Sequence, residues 1–170
     1  VSGSHGGLFA AAVASRAGLR AVILNDAGRG LNDAGIAGLA ALTDYGMAGC
    51  AVDCRTAEIG LASDAVANGV ISYSNTPATI LGIATGDSVE RALTLLSNAP
   101  DPTGQMAAVP EARWEEEIDG GSVLCVDSAS LICSEDAGRI IVTGSHGGLI
   151  GGDPIRACKA QANYVSFSDA

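Results

Sequence analysis

GSHGGLFAAAVASRAGLRAVILNDA, residues 3–27, reads as a turn, a helix, a strand and a second turn. The pentapeptide GSHGG ends a β-rich start, LFAAAVASRA carries a helical Ala/Leu pattern closed by Gly18, and AVIL is a short continuous apolar run. Such a run is expected of a strand buried on both faces of a parallel sheet. Residues 144–148 repeat GSHGG after IIVT, and the chain continues to YVSFSDA as the first copy continues to AVILNDA. Asp26 follows His5 by 21 residues and Asp169 follows His146 by 23. The repeated unit is therefore strand, GSHGG, helix, strand, with an Asx/Ser-Asp-Ala turn at its end.

Between the copies, apolar runs keep alternating with Ala-rich segments. Residues 34–45 and 87–97 read as helices, 48–52 and 70–73 as strands, and Thr76-Pro77 opens a further helix with proline in its first turn. Residues 123–126 and 140–143 are strands, 154–162 a helix and 164–167 the last strand. The expected fold is α/β, a three-layer sandwich around a mainly parallel sheet. A single domain over residues 1–170 is expected, with 98–110, which holds three of the five prolines, as the candidate linker. Val1 looks like the end of a strand, so upstream residues are expected to be missing from the N-terminus.

Composition bounds the function. Nine basic against nineteen acidic residues give a net charge of −10, which opposes binding to nucleic acid and to anionic membranes. No run approaches the roughly 18 apolar residues of a membrane span, and a cytoplasmic protein is expected. Five cysteines, an odd number without a zinc spacing, read as reduced thiols; no metal and no cofactor is expected. Aromatic residues are only 4% of a chain that is 48% apolar, which favours thin helices packed closely on a sheet.

A loop that leaves a parallel strand and opens a helix offers free N–H groups and the positive end of the helix dipole to an anion. GSHGG lacks the Lys-Ser/Thr ending of a phosphate-binding P-loop, the spacing of a dinucleotide fingerprint, and the nucleophile-elbow pattern. What two copies keep, beyond a capping Ser, is a titratable His. The expected catalytic set is His5, His146, Ser4, Ser145, Asp26 and Asp169, with histidines as acid and base and aspartates orienting them. Gly6, Gly7, Gly147, Gly148, Asn25 and Arg55 are the expected substrate-binding residues. The expected substrate is a small anionic or amide-bearing metabolite, and the expected reaction is hydrolysis of a C–N bond, with proton transfer beside a carbonyl as the runner-up. The competing reading is a non-catalytic carboxylate- or phosphate-binding module, or a subunit of a larger assembly, and association into a homo-oligomer fits either.

Overall fold

The structure, a computed structural model, describes residues 1–168. They divide into two compact units, Val1–Val109 and a second that begins at Pro110, so the junction lies at the end of the proline-bearing stretch. The fold is mixed α/β, with two mixed sheets in place of the single mainly parallel sheet expected.

In the first unit the elements are α1 (Leu8–Arg16), β1 (Ala21–Asn25), α2 (Ala37–Ala41), β2 (Ala48–Val52), α3 (Ala62–Asn68), β3 (Ile71–Ser74), α4 (Thr76–Ile80) and α5 (Val89–Leu96). β1 and β2 pair in parallel, and residues 2–6 run parallel along the other side of β1, through Ser2 N–H to the Ile23 carbonyl and Gly6 N–H to the Asn25 carbonyl. β1 and β2 are sheathed on both faces, which is why their sequences are unbroken apolar runs. Val22, Leu24 and Ala51 pack with Ala11, Ala12, Leu39 and Leu42 from the α1/α2 side. Ile23, Cys50 and Val52 pack with Ala65, Val89, Ala92 and Leu96 from the α3/α5 side.

β3 is antiparallel to β2, contrary to the parallel pairing expected. The chain between β2 and β3 leaves and returns at the carboxyl end of β2 and does not cross to the sheet's amino edge. Val70 meets Asp53 just beyond the end of β2, and β3 must run back.

Among the described residues, every buried side-chain nitrogen and oxygen has a hydrogen-bond partner. Asn75 accepts from Gly49 N–H (2.9 Å) and caps α4 at Ala78 N–H (3.2 Å), while its Nδ2 donates to the Leu39 and Met47 carbonyls (3.1 and 2.9 Å). α1 and α2 approach at Gly38, whose N–H donates to the Gly6 carbonyl (2.9 Å) and whose missing side chain leaves room for the Gly7 backbone and Ala11.

The second unit contains β4 (Arg113–Ile118), β5 (Gly121–Val126), β6 (Ile140–His146) and β7 (Tyr164–Ser168), in that order across the sheet. β4 and β5 form an antiparallel hairpin; β5–β6 and β6–β7 are parallel. The hairpin turns at Asp119-Gly120, with Gly120 at φ 90°. The helix expected at 154–162 is not formed: Pro154–Arg156 is a single 3-10 turn from which irregular chain leads to β7, and another 3-10 turn, Ile150–Gly152, precedes it with Gly151 and Gly152 at φ 66° and 74°. Leu124, Val126 and Ile141 bury one face of this sheet against Ile132. Arg113 binds the buried Asp136 through two contacts (2.6 and 2.8 Å), and Cys133 N–H adds a third (2.9 Å). The Arg113 guanidinium holds the Asp136 carboxyl well below the usual carboxylate range.

All five cysteines are free. Among the described residues, no helix is long and apolar enough to cross a membrane.

Two outcomes are expected. Gly38→Ala, which inserts a methyl group between α1 and α2, lowers stability by about 1–3 kcal/mol in denaturant titration. Asp136 has a lowered folded pKa, so its stabilisation is present above about pH 4, the unfolded value, and is lost as pH falls. Asp136→Asn should therefore melt lower at neutral pH and show a flatter dependence of Tm on pH between about 5 and 2; an unchanged slope would contradict this role for the pair.

Candidate functional site

The carboxyl edge of the first sheet collects polar groups from four chain segments. Asp26, the first residue after β1, is 5% exposed. Its Oδ1 accepts from Gly28 N–H and Cys54 N–H (3.0 Å each), and its Oδ2 accepts from the Ser72 hydroxyl (2.6 Å). Loops after β1 and β2 and the middle of β3 are thus tied to one carboxylate. Asn25 beside it is also buried, with Oδ1 accepting from Ala27 N–H (2.8 Å) and Nδ2 donating to the Ala57 carbonyl (3.4 Å). Its side chain is spent on holding the loop.

His5 lies opposite Asn25 on the neighbouring segment, and its Nδ1 accepts from Gly7 N–H (3.0 Å). That bond places the proton of the neutral ring on Nε2. Burial lowers the His5 pKa, outweighing a backbone hydrogen bond that raises it, so the neutral donor form prevails at pH 7. Gly6 and Gly7 give their carbonyls to Gly38 and Ala11. Ser4 accepts Asn25 N–H on its carbonyl (2.9 Å).

The loop after Asp26 is built from unusual backbone. Ala27, Arg29, Asn32 and Asp33 all have φ between 49° and 66°, as do Gly28 and Gly30 at 65°. Non-glycine residues there cost of order 1 kcal/mol each and persist only where surrounding bonds impose them. Arg29 N–H to the Asp26 carbonyl and Gly35 N–H to the Arg29 carbonyl (2.7 Å each) do so. The Arg29 guanidinium donates to the Ser72 carbonyl (2.9 Å) and lies 6.0 Å from the centre of the Tyr73 ring, within cation–π range.

Arg55, expected to bind substrate, is held by Asp53 through Nε (3.0 Å) and Nη2 (2.7 Å), which also lowers the Asp53 pKa. Asp26, Asp53 and Cys54 bring one ligand atom each within 4.8 Å of the others. Both carboxylates already accept hydrogen bonds from protein donors. Burial, with the Asp26 charge beside it, pushes the Cys54 thiol up, away from the thiolate a nucleophile needs.

The second GSHGG copy belongs to the second unit and repeats the local geometry. His146 lies opposite Ser168 in parallel pairing, as His5 lies opposite Asn25, and His146 Nδ1 accepts from Gly148 N–H (3.1 Å). Ser145 Oγ accepts from Ala129 N–H (2.8 Å) and so pins the loop after β5. Gly147 lies close to Phe167. Asp169 lies outside the described residues.

The site residues that the sequence did not single out are Ser72, Cys54 and Arg29. Cys54 was within reach, since it follows β2 as Asp26 follows β1. Ser72 sits mid-strand, where no carboxyl-edge rule points.

The chain matches no protein-family model, no curated protein and no solved structure.

The His5 pKa, lowered on folding, predicts a specific acid sensitivity. The unfolded ring takes its proton near pH 6.5 while the folded ring resists it, so this stabilisation is full above about pH 6.5 and declines as pH falls below it. The Tm difference between the parent chain and His5→Gln should shift against the parent between pH 7 and pH 5. A difference that stays constant over that range overturns the assignment of His5 as a half-buried neutral ring.

Proposed function

We propose that the carboxyl edge of the first sheet binds a small amide-bearing or anionic metabolite and that the chain hydrolyses its C–N bond. The observation that supports this reading most directly is the buried Asp26 carboxylate, which receives the Ser72 hydroxyl at 2.6 Å beside a strained loop, with a half-buried neutral histidine on the neighbouring segment. A hydroxyl aimed at a carboxylate is the pairing of nucleophile and proton acceptor that acyl transfer needs. A neutral imidazole with its proton on Nε2 is suited to donate to an oxygen that gains charge, rather than to act as a base.

In this reading Ser72 Oγ attacks the amide carbonyl carbon as its proton passes to Asp26 Oδ2, and the carbonyl oxygen takes the negative charge. His5 Nε2–H donates to that oxygen. Collapse expels the amine, which leaves with the proton from Asp26, and water hydrolyses the ester by the same route. Arg29 supplies the positive charge that favours a carboxylate-bearing substrate. Ser4 and the GSHGG glycines position His5. The second loop, with Ser145 and His146 in the same local geometry, is proposed to serve binding in its own unit.

One observation favours the non-catalytic alternative: the Asp26 carboxylate accepts from Gly28 N–H, Cys54 N–H and the Ser72 hydroxyl, as in a carboxylate that only organises loops.

The test is turnover of a panel of small amides, with and without a carboxylate, read by release of amine. Ser72→Ala and His5→Gln should each lower turnover by at least about 100-fold while keeping the parent fold by circular dichroism. Full activity in Ser72→Ala removes the hydrolytic mechanism. Thermal stabilisation by a panel member without any turnover favours the binding module.

A further inference from the structure

The four-stranded sheet of the second unit has one covered face and one open face. Strand register sorts the residues. Leu124, Ile141 and Val165 align across β5, β6 and β7 on the covered side, beneath Ile132, Ala129 and Ala160. On the opposite side, Trp114, Cys125, Val142 and Ser166 form one cross-strand row, and Glu116, Val123, Ile140 and Tyr164 form the next. Trp114 is 44%, Val142 45% and Tyr164 73% exposed, and Ile140 and Ile118 are exposed as well.

This is a contiguous apolar surface laid across all four strands. A solvated sheet face in a mixed sheet ordinarily alternates to polar residues. Aligning the His5–Asn25 pair with the His146–Ser168 pair makes Tyr164 and Ser166 the counterparts of Ala21 and Ile23. In the first unit that face is closed by α5, with Ile23 buried against it. The second unit carries the same side of the same strand pair without such a cover.

We infer that two copies of this chain associate through this face, sheet against sheet, as a two-fold dimer. Three features select a second copy as the occupant. First, the face is nearly free of charge in a chain of net charge −10: in the two rows only Glu116 is ionisable at neutral pH, and Trp114 Nε1–H donates to it (2.9 Å). A charged partner finds little to match here, whereas two like chains can approach at this face with least repulsion. Second, an isologous interface needs a patch complementary to itself, and flat rows of Trp, Val, Ile and Tyr pack face to face at about 10 Å. Third, the area is adequate. The five most exposed apolar side chains offer on the order of 500 Å² per copy, so a pair buries about 1,000 Å², the lower bound of a specific interface.

Trp114 is the only tryptophan of the chain and stands in this face, so its emission reports the association directly. The experiment is sedimentation equilibrium of the full chain over a concentration series, with tryptophan emission recorded on the same samples. A dimer is expected, with emission moving to shorter wavelength as dimer forms. Val142→Glu, which puts a carboxylate in the centre of the face at an already exposed position, should raise the dimer Kd at least about tenfold and abolish the concentration-dependent shift. Tyr164→Glu, at the more exposed end of the second row, should act in the same direction and serves if Val142→Glu loses the parent circular dichroism spectrum. A chain that stays monomeric throughout the series overturns the inference. So does a dimer that survives a folded Val142→Glu or Tyr164→Glu with unchanged Kd, because the contact then lies elsewhere.

Discussion

The carboxylate of Asp26 is the constraint on which the first unit's edge depends. A buried ionised group is tolerable only when donors replace its water, and here the donors come from three places far apart in sequence. Gly28 fixes the direction of the chain after β1, Cys54 fixes the chain after β2, and Ser72 brings β3 up to both. Remove the charge and each segment loses its reason to be where it is. The polar edge is consequently an organised surface rather than a set of loose loop ends, which is the precondition for holding a small ligand with little ordering cost.

His5 belongs to the same logic. Its ring is folded back onto Gly7, so the tautomer and orientation follow from a local bond two residues long. That bond recurs at His146 and Gly148. What the two loops share is thus a way of orienting an imidazole, while the chain that follows differs: a nine-residue helix after the first loop, 3-10 turns after the second.

Much of the architecture was legible in residues whose signals were local. The AVIL run and the AGCAV segment announced β1 and β2 because both faces are buried, and Gly18 marked an end that the structure places two residues earlier, at Arg16. The direction of β3 was not legible, because it is decided by where the intervening chain returns, at Val70 beside Asp53, and not by the ISYS sequence itself. β4 escaped because three consecutive glutamates are poor strand formers, although the Asp119-Gly120 turn signalled a hairpin. The helix expected at 154–162 is reduced to one 3-10 turn at Pro154–Arg156. For the candidate site, Asp26 and His5 could be read from their positions after strands, whereas Ser72 and Arg29 enter only through tertiary contacts with residues about 45 positions apart in sequence for both partners.

The positive-φ residues among 27–33 have a consequence for how this chain tolerates sequence drift. At most surface positions glycine is a poor replacement, because it loosens the unfolded chain and gives nothing back. At Ala27, Arg29, Asn32 and Asp33 the ordering is inverted: the backbone already occupies the region that glycine enters freely, and asparagine or aspartate more easily than most. Valine, isoleucine or threonine there meets the steric limit of its own Cβ. Variation in this loop is therefore channelled toward small and Asx residues, so its shape can outlast most changes in its composition, apart from the guanidinium at position 29 that reaches β3.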